Sequence, residues 1–435
     1  LSYAKLSNLT KNEKPPPNYY HYLVFPLKLV ACWEWFEKPD KDYKIIINYV
    51  YFSVMLLVQL NILMSLVVHI YLEWTGFMTS LVLMSESLPI IITIFIVAYF
   101  ATYQHDLYEL VEYVNKNFKW HSASGVTNMN MQNSYECAKK FAYFYTGCLT
   151  FTVTAYTVIP IVSYCKFIKI LLYSFFTFSS VVLRHCMVQA IIGVAIGQCG
   201  VFFVSSSILM CGQLDLLCCS LQNIRYTALL KNGIRHNTLV RKIGDIRADE
   251  EHRYSFNESI VEKPRFHYDK NYIYDPTFDD DTCTSIKDCA RVYQVIKEFK
   301  VMFEKFVSPV LVVRILQYTV YLCVLLYTAT VKFDLAMLEY LFAVALDMFF
   351  HCYFGNQIII QSDRVSEAAY QSAWITMGVR PRRLLLNILL SSRRSLIIRA
   401  GNYIAIDLQA FIAILKTSFS YYTLLVNVND KKDNH

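Results

Sequence analysis

The sequence predicts an all-α membrane protein of seven transmembrane helices, with its amino terminus cytoplasmic and its carboxyl terminus extracellular. Three observations carry this reading. Only 17% of the 435 residues are charged and 55% are hydrophobic, against about 25% charged in an average soluble protein. The apolar residues gather in stretches close to the ~20 residues that a helix needs to cross a bilayer. Those stretches are continuous rather than alternating, which argues against a β-barrel. Soluble enzymes, disordered chains and nucleic-acid binders are excluded by the same composition.

Residues 1–44 are polar, with Pro15, Pro16, Pro17 and seven lysines, and no cleavable signal peptide is expected there. Seven apolar stretches follow, at 45–72, 76–101, 141–164, 184–210, 306–331, 338–360 and 403–428. The segments 1–44, 102–140, 211–305 and 361–402 carry 7, 4, 15 and 7 Lys and Arg residues. The opposite set holds only Lys166, Lys169, Lys332, Lys431 and Lys432. Long loops report orientation poorly, so the 15 are set aside; 18 basic residues against 5 still put the amino terminus inside.

Two features bear on that orientation. Asn8 and Asn257 begin glycosylation triplets on the side read as cytoplasmic, and such triplets arise often by chance. Residues 166–182 are also apolar, and at 17 residues with Lys166 and Lys169 at the start they read as a lid on the outer surface. The 13 cysteines are scattered, without paired spacing. They read as small core residues rather than as disulfides or metal ligands.

Ionisable residues inside a span are functional candidates: here His69, Glu86, Arg314, Asp347, His351, Asp407 and Lys416. If the fifth and sixth spans are neighbours, Arg314 and Asp347 are placed to pair. Pro89, Pro160 and Pro309 interrupt three spans. Each frees a backbone carbonyl and bends its helix, which either opens a cavity or is taken up in packing. Around the first two prolines the residues are apolar or hydroxylated, a lining suited to a small apolar ligand. The last span is streaked with polar residues, among them Gln409, Ser420, Thr423 and Asn427. Leu424 and Val428 share a face with Ser420 and Thr417 at helical spacing. Composition alone serves a pore lining and a polar seam between helices equally.

The residues Phe354-Gly355-Asn356, Ser362, Ser366-Glu367-Ala368-Ala369-Tyr370, Trp374, Ala400-Gly401 and Ser420-Tyr421-Tyr422 resemble the pattern that runs through the last two spans of the insect odorant receptor family. Residues 27–33, ending in Trp33, look like that family's short amino-terminal helix, and the inward amino terminus matches its topology. The resemblance implies a heteromeric ligand-gated cation channel, in which four subunits each give their last helix to one pore and most members work with a shared co-receptor. The loop between the fourth and fifth spans is shorter than the co-receptor's and the last helix more polar, so the chain looks like an odorant-tuned subunit.

By that resemblance, 45–210 is the ligand-binding bundle. Residues 211–305 form a cytoplasmic loop and anchor helix, 306–360 hold two further spans, 361–402 form a second anchor segment, and 403–435 the pore helix with an extracellular tail. Residues 290–305 and 362–398 are the anchor stretches between subunits. Leu424 and Val428 fall at the hydrophobic gate, with Asn427 at the pore mouth. The odorant pocket falls on Met84, Leu88, Tyr156, Ile159, Met187, Ile191, Tyr340 and Val344. No catalytic residue, metal or cofactor is expected. The expected partners are the co-receptor, a small volatile odorant and membrane lipid, with no nucleic acid, in the plasma membrane of olfactory sensory neurons. The alternatives are a gustatory receptor-type channel, a G-protein-coupled receptor, which would need an extracellular amino terminus, and a secondary transporter, which would need internal repeats that the sequence lacks.

Overall fold

The computed structural model describes residues 16, 18–37, 41–72, 77–167, 174–234, 236, 239, 272–331 and 335–433, with the side chains at 77–86, 155–167, 174–189, 329–331, 335–340, 425 and 428–433 lying outside the described set. Among the described residues the architecture is helical, with one two-stranded hairpin. The helices are α1 (His21–Leu29), α2 (Asp42–Leu72), α3 (Phe77–Thr102), α4 (Gln104–Asn117), α5 (Gln132–Phe167), α6 (Ser174–Gln222), α7 (Ile224–Lys231), α8 (Asp279–Val331), α9 (Leu335–Tyr370), α10 (Val379–Ser392) and α11 (Leu408–Asp433). Strands β1 (Arg399–Ala400) and β2 (Ile404–Ala405) lie between α10 and α11.

The seven apolar stretches lie along α2, α3, α5, α6, α8, α9 and α11, except that 403–407 belong to the hairpin and its exit. Four stretches among the described residues are long and apolar enough to cross a membrane: Asp42–Leu72, Ala190–Gln222, Pro276–Thr328 and Leu341–Thr376. Ser87–Thr102 and Gln104–Asn117, bent by 67° at the break between them, form a fifth if taken together. The chain is a multi-pass membrane protein.

The helices that reach farthest are α6, 49 residues, and α8, 53 residues. At 1.5 Å per residue they extend about 75–80 Å, well beyond the ~30 Å hydrocarbon layer. The apolar stretches read from sequence are therefore only parts of continuous rods. Residues 174–182, read as the end of a surface lid, are instead the first turns of α6. No proline or glycine stands between Ser174 and Ile192 to stop the helix. Residues 168–173 of that segment lie outside the described residues. Prolines do not end the helices either: α3 runs through Pro89, α5 through Pro160 and α8 through Pro309.

Helix α6 packs against α5 and α9, and α8 packs against α3, α4, α7, α10 and α11. Where α3, α6 and α8 meet, the core is aromatic. Phe306 stands edge-on to Phe100 at 5.2 Å and 6.0 Å from Phe202, while Phe203 stacks on Phe303 at 5.6 Å. Such edge and offset contacts add to the burial of the rings. Tyr20, just before α1, ties the helix start to α6, its hydroxyl 3.0 Å from Ser206 Oγ. Helix α1 ends at Leu29, so Trp33 lies past its end rather than closing it, buried with its ring 5.1 Å from Tyr108. By contrast α2 exposes Val50, Leu57, Met64 and Val68 and buries only Asn48 and Gln59, as a helix bathed in lipid would.

Gly355 lies where α9 meets the chain leaving β2. A side chain there would bring a Cβ within 2.1 Å of the Ile406 carbonyl oxygen. The hairpin reverses through Gly401 and Asn402 at φ 59° and 65°, the left-handed region that glycine and asparagine tolerate best.

Away from the apolar spans, one arginine ties α7 to α8. Arg225 is fully buried. Its guanidinium donates to Ile273 O at 2.8 and 3.0 Å, Asp275 O at 2.9 Å, Asp279 Oδ1 at 3.1 Å and Thr282 Oγ1 at 3.0 Å. Asp279 begins α8 and also accepts the Gly378 N–H at 3.3 Å, drawing in the start of α10. A planar five-donor fork fills this site and a lysine cannot. We predict that Arg225→Ala destabilises the protein by about 3–5 kcal/mol, the cost of leaving a buried pair half made. Arg225→Lys should recover less than half of that, as read by thermal unfolding in detergent monitored by gel filtration.

Candidate functional site

Of the pocket residues expected from sequence, three are described with their side chains. Leu88 on α3 packs at the edge of the main core. Ile191 on α6 is half-buried, one residue before Ile192, which is buried against Ile90. Val344 on α9 leans on a separate cluster of Tyr318, Leu322, Met348, Cys352 and Ile414. Leu88 and Val344 thus border two different apolar clusters. The side chains of Met84, Tyr156, Ile159, Met187 and Tyr340 lie outside the described residues, as does that of Val428.

Helix α11 presents two contrasting sides. Ile414 and Ser418 are buried, and Ser418 donates to Thr319 O on α8 at 3.2 Å. Thr417, Ser420, Leu424 and Asn427 are exposed, Leu424 at 59%. Asp407, a candidate from its place in the last apolar stretch, has a structural role: its Oδ1 accepts the Ala410 N–H at 2.8 Å. That contact caps the first turn of α11.

The most developed polar structure in the membrane-level bundle gathers Arg314, Gln317 and Tyr318 from α8, Asp347 and His351 from α9, and Tyr145 from α5. Arg314 Nη2 bonds to Asp347 Oδ2 and donates to the Tyr318 hydroxyl at 2.7 Å, while Nη1 donates to Gln317 Oε1 at 2.6 Å. Asp347 accepts further hydrogen bonds from Tyr318 OH at 2.8 Å and Tyr145 OH at 2.9 Å. His351 Nδ1 lies 2.9 Å from the Asp347 carbonyl oxygen, and its ring stacks on Phe203 at 5.1 Å. The Arg314 guanidinium carbon also sits 4.7 Å from the centre of the Tyr318 ring.

The reason for so many partners is energetic. Taking a carboxylate and a guanidinium out of water costs several kcal/mol per ion, which their attraction offsets only if the remaining lone pairs and protons are satisfied. Here the carboxylate has three donors, and the pair is a structural joint between α5, α8 and α9. Two small voids flank Arg314 and His351, each of about 10 Å³. One reaches Phe100 and Phe306; the other reaches Ile406, Ala410 and Ile414 beneath α11. The joint thus lies directly against the packed side of the last helix.

The sequence named Arg314, Asp347 and His351 but not Tyr145, Gln317 or Tyr318. A signal for two of these was present: Gln317 and Tyr318 stand three and four residues after Arg314, on one helix face. Nothing local marks Tyr145. We predict that Arg314→Met and Asp347→Leu each destabilise the protein by about 3–5 kcal/mol. The double substitution should recover most of that loss, a coupling that a double-mutant cycle on thermal stability reads directly.

The comparisons with known proteins agree with this architecture. A sequence profile of the family described as 7tm odorant receptor matches residues 73–419. The chain is 22% identical over 336 residues to odorant receptor 83a of Drosophila melanogaster, covering 73% of each chain. It is 38% identical over 84 residues to odorant receptor 2a of the same fly, covering 19% of this chain and 21% of that one. Its fold matches that of olfactory receptor OR5 from Machilis hrabei, a structure solved in complex with eugenol. The TM-score is 0.66 at 13% identity, covering 98% of this chain and 99% of that one. With the profile extending over most of its length, this chain belongs to the insect odorant receptor family, a family of receptors and not of enzymes.

Proposed function

We propose that the chain is the odorant-tuned subunit of a non-selective cation channel gated by a small volatile molecule, opening a shared pore together with a co-receptor in a heterotetramer. In this reading seven helices cross the plasma membrane of an olfactory sensory neuron, with the amino terminus inside and the carboxyl terminus outside. The observation that carries it is the two-sidedness of α11. Ile414 and Ser418 pack on α8 and α9 while Thr417, Ser420, Leu424 and Asn427 stay exposed in the single chain. A helix with that much polar surface is poorly suited to lipid on its bare side; it suits a water-filled axis shared with other subunits.

The mechanism is a population shift. The odorant, a class supported by family membership and by the eugenol bound to the Machilis receptor, enters a pocket formed by Met84, Leu88, Tyr156, Ile159, Met187, Ile191, Tyr340 and Val344. It binds the open arrangement better than the closed one. A preference of about tenfold supplies about 1.4 kcal/mol per subunit, within reach of one or two well-packed apolar contacts. The Arg314–Asp347 joint keeps α8 and α9 moving as one body, so that displacement in the bundle reaches α11 through Ile414. Leu424 and Val428 then withdraw from the axis. In the closed state their rings exclude ions by dewetting, with Asn427 at the mouth.

Co-expression with a co-receptor should give volatile-evoked cation currents that neither chain gives alone; currents from this chain alone would overturn the heteromeric reading. Leu424→Ala should raise the ligand-free current several-fold, since a ring of small side chains stays wet. Tyr156→Ala should reorder a panel of volatiles while leaving unitary conductance unchanged. A change in conductance without reordering would remove Tyr156 from the pocket.

A further inference from the structure

At the end of the molecule that the proposed orientation puts in the cytosol, a cavity of about 420 Å³ opens between the segment after α4, the carboxyl-terminal part of α6, α7 and the start of α8. Its rim carries Lys119 and Lys231 together with His121 and Ser122, and Leu216, Leu217, Leu230 and Val292 line its apolar part. Neither lysine is in an ion pair among the described residues. The carboxylate in the lining, Asp288, is answered by Arg291 at 2.9 Å. Lys119 and Lys231 thus outnumber the one carboxylate that lines the cavity, and among the described residues neither is paired with it.

The rim is held in place rather than draped. Lys119 is clamped through its backbone, its N–H donating to Gln213 Oε1 at 3.1 Å and its carbonyl accepting from Gln213 Nε2 at 2.7 Å. The Ala123 N–H donates to Ser220 Oγ at 3.0 Å. The Asn223 amide nitrogen grips Thr127 O at 3.0 Å and Oγ1 at 2.8 Å from below. The hydroxyls divide into two kinds. Ser220 and Ser285 give their protons to the Leu216 and Asp281 carbonyls at 2.8 and 3.0 Å. Ser122 accepts the Met129 N–H at 3.0 Å, which leaves its own proton free for a ligand.

We propose that this cavity binds a small phosphomonoester, its phosphate bridging Lys119 and Lys231 with Ser122 donating, and its less polar body resting on Leu216, Leu230 and Val292. A dianionic phosphate matches two ammonium groups in charge and in acceptor number, and the volume lies within the range of small-molecule sites. Along α8, Val292 is roughly 20 Å from Phe306, where the apolar stretch begins. That distance favours a soluble phosphomonoester over a lipid headgroup. The site is separate from the odorant pocket and pore, and its test needs neither odorant nor current.

Pyridoxal 5′-phosphate is the probe. Its aldehyde condenses with a lysine amine to an imine, releasing water, and borohydride reduction fixes the label while the phosphate is held by the second lysine. On the full chain in nanodiscs, peptide mass spectrometry should find Lys119 or Lys231 labelled at least about tenfold faster than Lys116. Pyridoxal, without the phosphate, should show no such preference. Lys231→Arg should keep fast labelling at Lys119; Lys231→Gln, which keeps side-chain bulk without charge, should abolish it. Protection by adenosine 5′-monophosphate or inorganic phosphate identifies a soluble source, and protection only by vesicles containing phosphatidylinositol 4-phosphate identifies a lipid headgroup. Equal labelling of Lys116, indifference to the phosphate of the probe, or no protection in either arm overturns the proposal.

Discussion

The fold turns on one electrostatic constraint: a guanidinium at Arg314 that is buried at the level of the membrane and cannot shed its charge. Every group around it follows from that. Asp347 supplies the countercharge from α9, and Gln317 and Tyr318 each accept from one of the two Nη groups on the same face of α8, while Nε has no partner among the described residues. Tyr145 reaches in from α5 to complete the carboxylate. Because each partner comes from a fixed helical position, the register of α5, α8 and α9 is set together. An apolar seam would hold the same helices with less specificity, since apolar contacts tolerate rotation and slippage that directed hydrogen bonds do not.

That constraint bears on the proposed channel. Helix α11 leans on α8 and α9 through Ala410, Phe411, Ile414 and Ser418 and is exposed at Thr417, Ser420, Leu424 and Asn427, so its position is inherited from α8 and α9. In the proposed tetramer the bare sides meet, and small movements of the α8–α9 unit become changes of pore radius. The second polar anchor, Arg225, does related work at the far end, where it joins α7, the turn before α8 and the start of α10.

Much of this was legible in the sequence because hydropathy and charge are sums over many residues. The seven apolar stretches fall on helices but for 403–407, and the pairing of Arg314 with Asp347 follows from the expense of a lone charge in an apolar bundle. The part of the lid at 174–182 was misread because, with no proline or glycine before Ile192, those residues belong to α6. The helix read to Trp33 ends at Leu29, ahead of Ala31 at a non-helical φ of 58°, and Trp33 beyond it packs on Tyr108. Tyr145 and the lysine-rimmed cavity were invisible for a common reason. Each unites residues from segments far apart in the chain, which neither spacing nor composition records.

The unbroken length of α8 has an evolutionary corollary. Asp279, Ser308 and Arg314 each meet partners on different neighbours along one continuous rod. Inserting or deleting a single residue between any two of them would rotate one half against the other by about 100° and throw the remaining contacts out of phase. Related chains are thus free to drift in length only where the backbone is not part of such a rod, and the spacing from Asp279 to Val331 is a count that descent cannot easily alter.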